Sequence, residues 1–212
     1  MSHLSAFDAA FARCPLVAIL RGVQPHEVEA IGDALIDAGF TIVEVPLNSP
    51  DPYESITRLS KKLEGYAVVG AGTVLRVEQV EQVEAAGGTL IIAPNANTAV
   101  ISAAAERGLV AMPGIATPTE AFAALDAGAA ALKLFPAEAA SPAVMKAMRA
   151  VLPRDVRMLP VGGVVPSGME DWHKAGAAGY GLGSALYVPG MDAATVGERA
   201  RAFVAAWAAL ER

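Results

Sequence analysis

The sequence predicts an α/β chain folded as a single (β/α)8 TIM barrel with a short N-terminal helix, one domain over residues 1–212. Three observations carry that expectation. One pattern recurs eight times: a short apolar strand, a turn, then an amphipathic segment closed by glycine. Strict alternation of strand and helix makes the sheet parallel. The third is an absence. An open doubly wound sheet usually advertises a glycine-rich turn after its first strand, whereas here that strand ends Leu20-Arg21-Gly22 with no dinucleotide fingerprint. Eight even units then favour closure, and 212 residues lie near the lower end for such a barrel.

Residues 1–13 read as a helix with Leu4, Phe7, Ala10 and Phe11 on one face, and residues 15–212 as eight βα units. The strands are 17–20, 42–46, 68–73, 90–94, 110–114, 131–136, 158–163 and 179–184. Helices begin near Pro25, Pro52, Val77, Thr98, Thr117, Ser141, Pro166 and Asp192. Thr117-Pro118-Thr119-Glu120 is a capping residue followed by proline at the first helical position, and Ser141-Pro142 repeats the device. Gly39, Gly87, Gly108, Gly128 and Gly176 each follow the last periodic residue of a helix and stop it.

Composition narrows the partners. High apolar content and positive mean hydropathy suit strands buried on both faces. No apolar run reaches bilayer length, because Asp126, Lys133 and Glu138 break the richest region. A formal charge of -6 argues against nucleic acid and anionic membrane as partners. The N-terminus lacks the signal-peptide pattern, and the single Cys14 allows no intrachain disulfide; both predict a reducing cytoplasm. Cys14 reads as a packed thiol. His3, His26 and His173 are scattered and make no metal-ligand pattern with it, so no metal or cofactor is expected.

In a barrel the reactive groups gather at the carboxyl ends of the strands. Two charged residues lie inside predicted strands. Lys133 interrupts Ala131-Leu132-Lys133-Leu134-Phe135-Pro136, and Glu44 interrupts Val43-Glu44-Val45. An ordinary lysine, pKa about 10.4, is only ~0.04% neutral at pH 7. Acting as an amine nucleophile requires burial or a neighbouring cation to lower that value. The plain alternative is a structural ion pair between the two residues. The chemical reading is an imine-forming lysine with a carboxylate that moves protons.

Arg21 stands at the rim of strand one and suits a carboxylate, or else a surface ion pair. Thr73 follows Gly70-Ala71-Gly72 and offers a hydroxyl to the same carboxylate, or else caps a helix. Gly162-Gly163 and Gly183-Ser184 present backbone N–H groups at adjacent strand ends, the corner where this fold recurrently binds phosphate. Tight turns also need glycine, and no lysine or arginine stands beside them.

This ordered set, with Pro94 and the Lys-x-Phe-Pro run at 133–136, resembles the class I bacterial aldolases of 2-keto-3-deoxy-6-phospho sugar acids, over about residues 15–187. The resemblance implies reversible cleavage of a six-carbon phosphorylated keto acid to pyruvate and glyceraldehyde 3-phosphate, in a homotrimer without metal. It implies Lys133 as the imine lysine and Glu44 as the acid–base. Arg21 and Thr73 would hold the pyruvate carboxylate, Pro94 and Phe135 would wall the pocket, and Gly162, Gly163, Gly183 and Ser184 would bind the phosphate.

Two branches of the family differ in the C4 epimer they accept. The gluconate type typically carries an arginine shortly after the strand-two glutamate and a threonine before the strand-seven glycines. Here Asn48-Ser49 and Val161 occupy those places and resemble the galactonate branch. Ala93 departs from the threonine expected before Pro94 in that branch. The expected substrate is 2-dehydro-3-deoxy-6-phosphogalactonate. The alternatives are its gluconate epimer or 4-hydroxy-2-oxoglutarate, then a phosphosugar isomerase without an imine, then a phosphosugar-binding barrel.

Overall fold

The computed structural model describes residues 2–211. In chain order these residues form α1 (His3–Arg13), β1 (Leu16–Ile19), α2 (Val28–Ala38), β2 (Ile42–Pro46), α3 (Pro52–Lys62), β3 (Val68–Gly72), α4 (Val77–Ala85), β4 (Leu90–Ile92) and α5 (Thr98–Glu106). There follow β5 (Val110–Met112), β6 (Gly114–Ile115), α6 (Pro118–Asp126), β7 (Leu132–Leu134), α7 (Pro142–Arg149), β8 (Met158–Pro160), α8 (Met169–Lys174), β9 (Tyr180–Leu182) and α9 (Ala193–Leu210). No described helix is long and apolar enough to cross a membrane.

All strand pairs are parallel. Six strands form one sheet in the order β5-β4-β3-β2-β1-β9, and three form a second in the order β6-β7-β8. The strand expected over 110–114 is therefore two. Pro113 separates β5 from β6: it has no N–H to donate, although its carbonyl still accepts the Lys133 N–H at 2.9 Å. The sheets meet again where Val161 bridges Gly181 and Ala178 N–H donates to Met158 O at 3.0 Å.

Alternation along each strand divides the core in two. Val17, Ile42, Val68, Leu90, Val110, Ala131 and Leu159 pack on one another and on Phe7 and Phe11 of α1. Their neighbours, such as Val43, Val45, Leu132 and Leu134, pack against the helices. Glu44 stands two residues beyond Ile42, and Lys133 two beyond Ala131, so both point to the inner side. In register, Glu44 lies between Ile19 and Gly70, and Lys133 between Gly114 and Leu159.

Helix α1 closes the end of the inner cluster away from those residues. Arg157 Nη1 reaches Asp8 at 2.6 Å, and its guanidinium lies 4.9 Å from the Phe11 ring centroid. Leu4 departs from expectation: at 48% exposure it faces away from the core that takes Phe7, Ala10 and Phe11. Helix α2 begins at Val28 rather than near Pro25, because Glu27 accepts the Gln24 N–H in a preceding turn. The five stop glycines all take positive φ, between 71° and 103°. Thr117 and Ser141 cap α6 and α7 as their sequences predict.

Candidate active site

Leu132 and Leu134 are buried against the helices, which leaves Lys133 no direction but inward. It is 5% exposed, and its Nζ sits 4.5 Å from the centroid of Phe135. Burial pushes its pKa below the ordinary lysine value. The Glu44 charge opposes that, and the Arg21 charge adds to it.

Glu44 is 1% exposed and answers in the opposite direction. Burial raises its pKa from 4.5 to about 7, against the lowering pull of Lys133, Arg21 and the Gly72 N–H. Its Oε2 has no hydrogen-bond partner among the described residues. The carboxylate rests on Gly72, where a Cβ would overlap it. The two charges do not form the structural ion pair considered above. Six salt bridges link described residues, and none includes Lys133, Glu44 or Arg21. A carboxyl poised near 7 beside a lysine of lowered pKa is an arrangement suited to proton exchange.

Arg21 lies in the turn beyond β1, exposed, with its Nη1 donating to Asn48 Oδ1 at 2.7 Å. Thr73 follows Gly72 with φ of 56°, a left-handed conformation that a β-branched residue rarely takes. Such strain, of order 1–3 kcal/mol, recurs at functional sites. Thr73 is no helix cap either, because α4 starts four residues later at Val77 and Arg76 stands at its N-cap.

A cavity of ≈ 300 Å³ connects Lys133 and Arg21 to the opposite corner, a volume at the lower end for small-molecule sites. Lys133 and Phe135 line one part of it, and Gly162, Gly163, Gly183 and Ser184 another, with Arg21 and Val161 also in its wall. Gly162 and Gly163 both take positive φ, 113° and 65°. Among the described residues, the N–H groups of Gly162, Gly163, Ser184 and Ala185 donate to no backbone carbonyl, so they are available to an anion.

Eight predicted residues thus share the cavity. Glu44, Thr73 and Pro94 do not line it. Glu44 lies deeper, Thr73 beside its seat at Gly72, and Pro94 behind Gly114, the register partner of Lys133. Sequence reasoning missed Ile19, Glu138, Tyr187 and Pro189 in the wall. Glu138 had a signal, since it follows Phe135-Pro136 just past the strand end. Its carboxylate fills the space that side chains at Gly162 and Gly163 would take. No group of three or more described His, Cys, Asp or Glu residues is arranged to hold a metal ion.

A buried lysine and a buried carboxyl brought together at the strand ends of a parallel α/β fold form the kind of site at which enzymes act on carbonyl compounds. The chain belongs to the KDPG and KHG aldolase family, whose model matches residues 7–196. It is 50% identical to a probable 2-dehydro-3-deoxy-6-phosphogalactonate aldolase of Rhizobium meliloti (strain 1021), covering 92% of each chain. It is 48% identical to the 2-dehydro-3-deoxy-6-phosphogalactonate aldolase of Escherichia coli (strain K12), over 92% of this chain and 95% of that one. A solved structure described as native KDPGal superposes with a TM-score of 0.92 at 47% identity, covering 94% of this chain and 97% of the other. The KDPG aldolase of Legionella pneumophila, solved with pyruvate captured at low pH as a covalent carbinolamine intermediate, superposes with a TM-score of 0.82 at 27% identity, covering 92% and 96%.

Proposed function

We propose that this chain is a class I aldolase that reversibly cleaves 2-dehydro-3-deoxy-6-phospho-D-galactonate to pyruvate and D-glyceraldehyde 3-phosphate, in galactonate catabolism. The observation that carries the reading is the single cavity, with a buried amine of lowered pKa in one wall and unpaired N–H donors in another.

Neutral Lys133 attacks the C2 carbonyl to give a carbinolamine, which loses water to an iminium. The iminium draws in the electrons of the C3–C4 bond as that bond breaks. Glu44 takes the C4 hydroxyl proton, the aldehyde leaves, and the enamine remains. Glu44 returns a proton to C3, and water then frees pyruvate and the amine. A carboxyl with a pKa of about 7 can both take and return that proton near neutrality. Arg21 holds the substrate carboxylate from the cavity wall and Thr73 from beside Gly72; Phe135 bounds the pyruvyl end, with Pro94 backing it behind Gly114, and Gly162, Gly163, Gly183 and Ser184 bind the phosphate.

Val161 supports the galactonate epimer. It is buried in the cavity wall and offers no hydroxyl to the C4 oxygen, where the gluconate branch carries threonine. The second reading is a gluconate-epimer or 4-hydroxy-2-oxoglutarate aldolase, favoured by the family description itself. The test is pyruvate release from the two phosphorylated C4 epimers side by side, with borohydride trapping of pyruvate on Lys133. Faster release from the galactonate epimer is expected. Preference for the gluconate epimer selects the second reading, and failure to trap pyruvate removes the imine.

We infer that the junctions at Pro113 and at Val161–Gly181 join the two sheets into one eight-unit barrel, a single domain. We also infer a homotrimer, with exposed apolar side chains such as Phe122, Leu75 and Val77 available for its contacts, which sedimentation analysis tests. The buried free Cys14 suits the cytoplasm. The reaction needs no metal or cofactor.

A further inference from the structure

Arg21 is held from a neighbouring loop. Its Nη1 donates to Asn48 Oδ1 at 2.7 Å, and one residue further along each chain segment the buried Ser49 hydroxyl accepts the Gly22 N–H at 2.9 Å. From the other side, a Cβ on Gly22 would come within 2.7 Å of Pro189 Cγ, in the cavity wall. The turn after β1 is therefore pinned between the loop after β2 and the segment after β9. The 27-residue separation closes because β1 and β2 pair in register, Ile19 opposite Glu44.

We propose that Asn48 is a positioning residue for the carboxylate-binding arginine: from the loop after β2 it fixes the Arg21 guanidinium so that the free edge of the fork meets the substrate carboxylate beside Lys133. The proposal rests on the aldolase reading and deepens it. Guanidinium has five N–H donors in a plane. Asn48 engages one, and a bidentate carboxylate pair needs two of those left. A long arginine side chain loses much rotamer freedom on binding, and a pre-formed hydrogen bond removes part of that loss beforehand.

The chemistry of residue 48 matters as well as its reach. An amide oxygen holds the guanidinium without neutralising it. A carboxylate in that place would become the arginine's own partner and compete with the substrate. None of the salt bridges among described residues includes Arg21, so its charge remains available to an anion.

The experiment is condensation of pyruvate with glyceraldehyde 3-phosphate by the full chain, as wild type, Asn48→Ala and Asn48→Asp, with a KM for each reactant and a melting temperature for each variant. Glyceraldehyde 3-phosphate has no carboxylate and serves as the internal control. In Asn48→Ala the pyruvate KM is expected to rise about ten-fold, the effect of losing one charge-assisted hydrogen bond. The aldehyde KM stays within about two-fold, and kcat falls less than the pyruvate KM rises. In Asn48→Asp the pyruvate KM rises further.

Asn48→Asp keeps the shape and the acceptor, so a purely structural role would be restored by it. A pyruvate KM near wild type in Asn48→Asp overturns the proposal. So does an unchanged pyruvate KM in Asn48→Ala, or an equal rise for both reactants with a lowered melting temperature. Borohydride trapping of pyruvate on the wild-type protein is the separate check. Failure there ends the aldolase reading itself, whereas successful trapping with unaltered Asn48 variants ends only this inference.

Discussion

Replacing Glu44 by glutamine should make the protein more stable as the pH rises. The carboxyl titrates at 4.5 ordinarily and at about 7 when buried in this fold, so the folded chain binds that proton more tightly than the unfolded one. The stability it contributes is fully present below about pH 4.5 and is lost as pH rises through about 7. The interval, at about 1.4 kcal/mol per pH unit, corresponds to about 3 kcal/mol. Glutamine keeps the shape on Gly72 and does not titrate. Urea denaturation of wild type and Glu44→Gln from about pH 5 to about pH 9 should give curves that diverge by that order, the variant being favoured at the alkaline end. Repeating the series on a Lys133→Met background is a further check. Glu44 then loses its largest favourable charge, and the wild-type-like decline should move to higher pH. Curves that run parallel from acid to alkaline pH would mean that Glu44 titrates normally, and the link between its burial and its proton chemistry would fail. Turnover of Glu44→Gln should fall by about 10²–10⁴, the usual worth of a general acid–base.

Lys133→Ala should fold, abolish turnover and leave no site for borohydride trapping of pyruvate; wild-type turnover would remove the imine. The depressed pKa of Lys133 means that its contribution to stability is present above the ordinary lysine value and is lost as pH falls through the folded one, so Lys133→Met should be no less stable than wild type at neutral pH in a melting scan. Val161→Thr adds a hydroxyl to the cavity wall and should shift the ratio of kcat/KM for the two C4 epimers toward the gluconate form by about ten-fold, read by pyruvate release. Arg157→Ala removes the half-exposed contact to Asp8 and the packing on Phe7 and Phe11, and should cost about 1–2 kcal/mol in urea denaturation with kcat unchanged.

What could be read beforehand depended on how local the signal was. Lys133 and Glu44 stand out because a charge inside a buried apolar run has no ordinary explanation. β2 spans Ile42–Pro46 as expected, and the stop glycines mark real helix ends, because both are set by a few adjacent residues. The break at Pro113 was less legible. Proline interrupts a ladder only if its missing N–H falls on a paired side, and that depends on a neighbour far along the chain. Thr73 gives no sign of its positive φ, since β-branched residues disfavour it and tertiary contacts must impose it. Glu138 resembles any exposed carboxylate until the turn after β8 is seen beneath it. The tie between Asn48 and Arg21 appears only once β1 and β2 are placed side by side.

The seam between the two sheets has a consequence for how the enzyme fails. Glu44 belongs to the six-stranded sheet and Arg21 follows its β1, whereas Lys133 belongs to the three-stranded one. The amine and the carboxyl thus meet across a joint rather than within one ladder. Warming that loosens the joint at Pro113 or at Val161–Gly181 would part them by small slippages while each sheet kept its own hydrogen bonds. Catalysis should fade at temperatures where circular dichroism still reports intact helices and strands, and a substrate that touches both sides should act as a splint.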